Sequence, residues 1–147
     1  MQTRHEDLNE TQMETKFNFN SKVCTSRLQS ERLLALGLKK ETADMCHLWH
    51  WEFDGYTLIT VPWEITHKTT KDIPAWSLHR LMEMMPKNIA IDGDTAYPLQ
   101  IQKRSDGKWC VGYQGWYDCV GDLYDSVIVI YQLLISEGYL DEFYNKS

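Results

Sequence analysis

Asp72-Ile73-Pro74-Ala75-Trp76-Ser77-Leu78-His79-Arg80-Leu81-Met82-Glu83-Met84-Met85-Pro86 divides the chain near its middle and sets the frame for the rest. Two prolines bracket a run with helical spacing. Pro74 suits the first turn of a helix, where a missing N–H costs nothing, and Pro86 stops the helix. Leu78, Leu81, Met82 and Met85 recur at i, i+3, i+4 and i+7, so the run predicts one apolar face.

Outward from this helix, each side carries a hairpin. Downstream, strands of about Tyr97 to Arg104 and Lys108 to Tyr113 flank Ser105-Asp106-Gly107. A two-residue Asp106-Gly107 loop would pair Arg104 with Trp109 and mix polar with apolar positions. A three-residue loop pairs Lys103 with Trp109, Ile101 with Val111 and Leu99 with Tyr113. It leaves Gln100, Gln102, Cys110 and Gly112 on the opposite face. Register follows the buried face, so the three-residue loop is expected, with Gly107 left-handed at a bulge. Upstream, Cys46 to Val61 reads as a hairpin about Asp54-Gly55, with Phe53 facing Tyr56, Trp51 facing Leu58 and Trp49 facing Thr60. A polar connection, 62–73, joins it to the central helix.

Two further helices complete the pattern. Thr25 or Ser26 caps a run ending at Gly37, with Leu38 placed to fold back on the last turn. The last helix spans Asp122 to Gly138. Leu123, Val127, Ile130, Tyr131 and Leu134 share one face. The β-branched run Val127 to Ile130 would suit a buried strand, but the caps and length favour helix. The order is therefore α-β-β-α-β-β-α. It implies an α+β fold in which an antiparallel sheet of two hairpins has helices packed on one face. Residues 1–20 read as a loosely ordered N-terminal arm, with a short strand Lys16 to Asn20 carrying Phe17 and Phe19. Residues 21–147 read as a single domain.

Composition limits the function classes. The chain has 147 residues, 43% hydrophobic and 12% aromatic, which supports a packed core. A net charge of −6 argues against nucleic-acid binding. The polar N-terminus resembles no signal peptide, and the longest apolar run, Val127 to Tyr131, is far too short for a span, so no membrane partner is expected. The expectation is a cytoplasmic protein whose four cysteines, Cys24, Cys46, Cys110 and Cys119, are reduced thiols.

Catalytic and metal-binding signals are weak. Cys46, His47 and His50 have metal-ligand chemistry. On an extended strand, however, Cys46 and His50 lie roughly 13 Å apart and His47 points the other way. Cys46, Cys110 or Cys119 could pair with His67 or His79 as a nucleophile and base, but no turn singles one out. Asp92 and Asp94 around Gly93 lack the downstream glutamate of a calcium loop and read as a solvated turn. No phosphate loop, hydrolase elbow or zinc helix is present, so neither cofactor nor metal is expected.

The aromatic set stands out: Trp49, Trp51, Phe53, Tyr56, Trp76, Trp109, Tyr113, Trp116 and Tyr117. Such rings either fill a core or form a contact surface. Glycines around Trp116-Tyr117 suggest a flexible, exposed tip. The candidate interaction surface is Trp49, Trp51, Trp116 and Tyr117, engaging a protein partner or a second copy of the chain. The alternative is a small-molecule site or minor enzyme with a pocket between sheet and helices.

Leu33-Leu34-Ala35-Leu36-Gly37-Leu38 with Thr42-Ala43-Asp44-Met45, then Pro74-Ala75-Trp76-Ser77-Leu78, then Asp125-Ser126-Val127 through Leu134 to Glu137-Gly138-Tyr139-Leu140 carry a resemblance. In that order they resemble a group of small uncharacterised proteins of gut bacteria and of their phages and mobile elements. The resemblance spans about residues 28–140. It implies only an intracellular setting, on a mobile element, and brings no activity, cofactor or catalytic residue with it. The expectation of a non-enzymatic accessory or regulatory protein that binds a protein partner rests instead on the aromatic excess without catalytic motifs.

Overall fold

The computed structural model describes residues 22–60, 63, 71–90, 93–119 and 122–145. The N-terminal arm with its Lys16 to Asn20 strand, His67 and Asp92 fall outside the described residues. The fold is α+β. Its elements are helix α1 (Arg27–Ala35), a 3₁₀ turn (Lys40–Thr42), β1 (Met45–His50), β2 (Gly55–Ile59), β3 (Ile73–Ala75) and helix α2 (Leu78–Met84). There follow β4 (Asn88–Ile89), β5 (Tyr97–Pro98), β6 (Gln100–Lys103), β7 (Trp109–Tyr113), β8 (Trp116–Asp118) and helix α3 (Leu123–Ser136). Among the described residues every strand pairing is antiparallel. The two expected hairpins seed separate small sheets, ordered β2-β1-β3 and β6-β7-β8, with a β4-β5 pair between them.

The helix ends follow local chemistry. Ser26 caps α1 by accepting from the Gln29 N–H at 3.2 Å, and the Gln29 side chain returns a bond to the Ser26 N–H. Leu38 folds back as expected: its N–H donates to the Leu33 carbonyl and its side chain is buried. Asp122 caps α3 through the Tyr124 N–H at 2.8 Å. Val127, Ile130, Tyr131 and Leu134 are all fully buried, which confirms helix over strand for this run.

The central segment is corrected in one respect. Pro74 lies in β3, opposite Cys46, rather than in the first turn of α2. β3 is an edge strand, where a residue without an N–H is tolerated. The helix begins later because Ser77 caps it. The Ser77 Oγ accepts from the Arg80 N–H, while the Ser77 N–H and Oγ–H both donate to the Asp44 carboxylate. Starting at Leu78, the helix buries Leu81, Met84 and Met85 and leaves Met82 half-buried. At its far end Met85 is extended (ψ 144°), as the residue before Pro86 must be.

The second hairpin takes the expected three-residue loop. Lys103 opposes Trp109, Ile101 opposes Val111, and Gly107 is left-handed (φ 87°). Leu99 does not continue that ladder; its N–H donates to the Lys87 carbonyl instead. Trp116 and Tyr117, read from the sequence as a flexible tip, form a third strand on β7. Gly112 makes this pairing possible. A Cβ there would lie 2.1 Å from the Trp116 carbonyl oxygen, closer than any side chain could be accommodated.

The first hairpin departs from the expected register. Trp49 opposes Tyr56 rather than Thr60, and His50 opposes Gly55. Trp51 to Asp54 therefore form a four-residue loop, with Asp54 left-handed (φ 51°). Each partner shifts by an even number of residues, so no side chain changes face, and the hydrophobic pattern alone cannot separate the two registers.

One core joins these pieces. Val127, Ile128, Ile130, Tyr131 and Leu134 of α3 pack with Val111 and Tyr113 of β7, Leu33 of α1, Leu81 of α2, Cys46 and Trp76. α3 lies against β7 and β8, and α1 against β3 and α3. Among the described residues, no helix is long and apolar enough to cross a membrane.

Candidate functional site

The four candidate aromatic residues do not form one surface. Trp49 and Trp51 belong to the first hairpin and Trp116 and Tyr117 to β8, in different sheets. Trp49 is held within the fold. It meets Tyr56 edge-on at 5.0 Å, the Lys71 ammonium sits 4.5 Å from its ring, and its N–H donates to the buried Asp72 carboxylate. Trp116 is half-buried and meets Tyr139 edge-on at 5.4 Å. Tyr117 points to the other side and is exposed, because neighbours in a strand alternate faces.

Trp51 is different. It is 78% exposed in the hairpin loop, beside Phe53 at 62%. The His50 and Phe53 rings stack at 4.7 Å. Glu52 and Asp54 alternate with the two rings and are exposed. Sequence reading had both residues paired in a strand. The four-residue loop releases them, and only the register, which the apolar pattern leaves open, could have signalled it.

The cysteine expectation is corrected. Cys110 and Cys119 form a disulfide, with Cα atoms 4.3 Å apart. The β7-β8 turn brings them opposite each other, one step beyond the Val111–Asp118 pair. Because Trp116 and Tyr117 read as a loop tip, this approach was not visible in the sequence. Cys24 and Cys46 are buried and lie outside any disulfide. Burial, with Asp44 adding to it against Lys22, pushes the Cys24 thiol up to about 11, which leaves it protonated and inert. His79 is on the surface near Glu83, at 3.6 Å. His47 shares a hydrogen bond of 2.9 Å with the Thr25 carbonyl. Among the described residues, no three His, Cys, Asp or Glu side chains converge as a metal site.

Two of the concavities lined by the described residues carry an arginine. One, about 490 Å³, lies on the face of the second sheet away from α3, lined by Gln100, Gln102, Arg104, Tyr117 and the disulfide. These are the positions the register places opposite the buried face. The other, about 670 Å³, lies between the 3₁₀ turn, α2 and the C-terminal turn, lined by Lys39, Glu41, Thr42, Arg80, Met84, Phe143 and Tyr144. The space expected to hold a pocket, between second sheet and helix, is filled by Val111, Tyr113, Val127 and Tyr131. No protein-family model, no curated protein and no solved structure matches this chain, so its function is argued from its own side chains.

Proposed function

We propose that the protein is a non-enzymatic accessory or regulatory factor that binds a protein partner through the tip of its first hairpin. The observation that carries this reading is the pair of exposed rings, Trp51 and Phe53, two residues apart in the loop of the first hairpin. Large rings left in water are the typical anchors of interfaces, where they bury much area at low conformational cost. Glu52 and Asp54 flank them, so the fitting partner offers an apolar pocket with basic residues at its rim. The sequence resemblance adds only a setting, inside bacteria or on a mobile element within them; the accessory role rests on the exposed rings and the lack of catalytic motifs.

The test is a comparison of the full-length tagged chain with its Trp51→Ala/Phe53→Ala variant as baits in host lysate, read by quantitative mass spectrometry. One stoichiometric protein should be retained by the parent and by Tyr117→Ala but lost by the double variant. Both rings are exposed, so thermal stability should stay within about 0.5 kcal/mol of the parent. The same proteins captured by all three baits would overturn the assignment. Light scattering of the purified chain identifies the case in which the retained partner is a second copy.

A further inference from the structure

We propose that the cleft between the 3₁₀ turn, α2 and the C-terminal turn binds a small organic monoanion, its carboxylate held by Arg80 and Lys39 and its apolar body lying on Met84, Phe143 and Tyr144. The cleft volume, about 670 Å³, is in the range of small-ligand sites.

The charges point to the ligand. Four arginines lie among the described residues, and three are engaged. Arg32 meets Asp125, Arg104 meets Asp106, and Arg27 lies over the Tyr56 ring. Arg80 is half-buried, and among the described residues no carboxylate approaches its guanidinium and no ring lies under it. A planar guanidinium with free donors is built for bidentate grip of a carboxylate. Lys39 shares the cleft, with its ammonium 5.7 Å from the Phe143 ring. Glu41 is the opposing charge in the lining, which leaves an excess of one positive charge and suits a monoanion.

Thr42 cannot take the head group as a donor. Its hydroxyl already donates to the Lys39 carbonyl at 2.6 Å and accepts from the Trp76 indole N–H at 2.9 Å. Recognition of the anion therefore falls to the two cations. The body of the ligand is set by the remaining lining. Met84 is buried beneath, Tyr144 is half-buried, and Phe143 stands 77% exposed. An apolar ligand covers a ring that otherwise faces water. The walls are already in place: the Lys39 N–H donates to the Tyr144 carbonyl at 2.9 Å, and Leu38 bridges Asn145. Little ordering is left for binding to impose.

The test is calorimetric titration of the full chain with 2-naphthoate and decanoate, against the neutral 2-naphthamide and inorganic phosphate. At least one carboxylate should saturate with a Kd below about 1 mM, with the amide and phosphate weaker by about tenfold or more. Arg80→Gln should weaken that carboxylate by about tenfold or more, while Arg80→Lys, which keeps the charge and loses the fork, should fall between. Among the described residues neither variant removes an ion pair or ring contact of Arg80, so the melting temperature should change little in both. Three results would each overturn the proposal. They are no saturation by either carboxylate, equal binding of the amide, and unchanged affinity in Arg80→Gln.

Discussion

The hydroxyl of Tyr131 in α3 donates a 2.5 Å hydrogen bond to the carbonyl of Leu81 in α2. The N–H that would serve this carbonyl within a longer helix belongs to Met85, which turns to the Met82 carbonyl instead. Tyr131 therefore satisfies an acceptor that the early end of α2 leaves open. Tyr113 of β7 does the same for the Pro86 carbonyl at 2.6 Å. Two tyrosines thus tie the exit of α2 to the helix and the sheet on either side of it.

Replacing Tyr131 by phenylalanine keeps the packing and leaves the Leu81 carbonyl buried without its partner. The expected loss of stability is about 1–3 kcal/mol, read from urea midpoints at an unchanged m-value. A loss under about 0.5 kcal/mol would show that water reaches that carbonyl.

Trp116 and Tyr117 should separate sharply although they are neighbours. Trp116→Ala removes a half-buried ring packed on Tyr139 and should cost about 1–3 kcal/mol. Tyr117→Ala, at an exposed position, should stay within about 0.5 kcal/mol. Thermal melts of the two single variants check this, and equal effects would contradict the strand assignment of β8.

The thiol count tests both the disulfide and the compartment. Alkylation of the denatured chain isolated from its native host, without reductant, should label Cys24 and Cys46 and spare Cys110 and Cys119. A bonded pair belongs to oxidising compartments, so it runs against the cytoplasmic expectation. Labelling of all four cysteines before reduction would place the chain in a reducing compartment with the pair open. The bond closes a short loop, so reducing it should lower stability by no more than about 3 kcal/mol.

Stability should fall at both ends of the pH scale, for different groups. Burial alone would raise the Asp122 carboxyl. Hydrogen bonds from Lys22, the Tyr124 N–H and Gln29, with the Lys22 charge, more than offset it and hold the group below its ordinary value. A depressed carboxyl contributes stability that is present above about pH 4 and is lost as pH falls through the folded-state pKa. Asp122→Asn should flatten the acid limb. Burial pushes the hydroxyls of Tyr131, Tyr113 and Tyr124 up, so their contribution is present below about pH 10 and lost above it. Denaturant titrations across pH check both limbs. An acid limb unchanged in Asp122→Asn would contradict the first assignment.

The sequence by itself determined the first and last helices and the second hairpin, because their signals are local. Ser26, Gly37, Asp122 and Gly138 mark helix ends through backbone conformation and capping within a few residues. The Ile101–Val111 register follows because a slip of one residue would bury Gln100 and Gln102. The tertiary structure alone decided the rest. A slip of four residues in the first hairpin changes no face, so whether Trp51 and Phe53 pair or project depends on contacts such as Lys71 over Trp49 and Asp72 on its N–H, more than twenty residues along the chain. Pro74 reads from local rules as a first helical turn, and only its pairing with β1 makes it an edge-strand residue. The cleft around Arg80 gathers side chains from three separated segments, so no local pattern carries it. Local rules act over a few residues, whereas a site is made where distant segments meet and some of their charges find no partner.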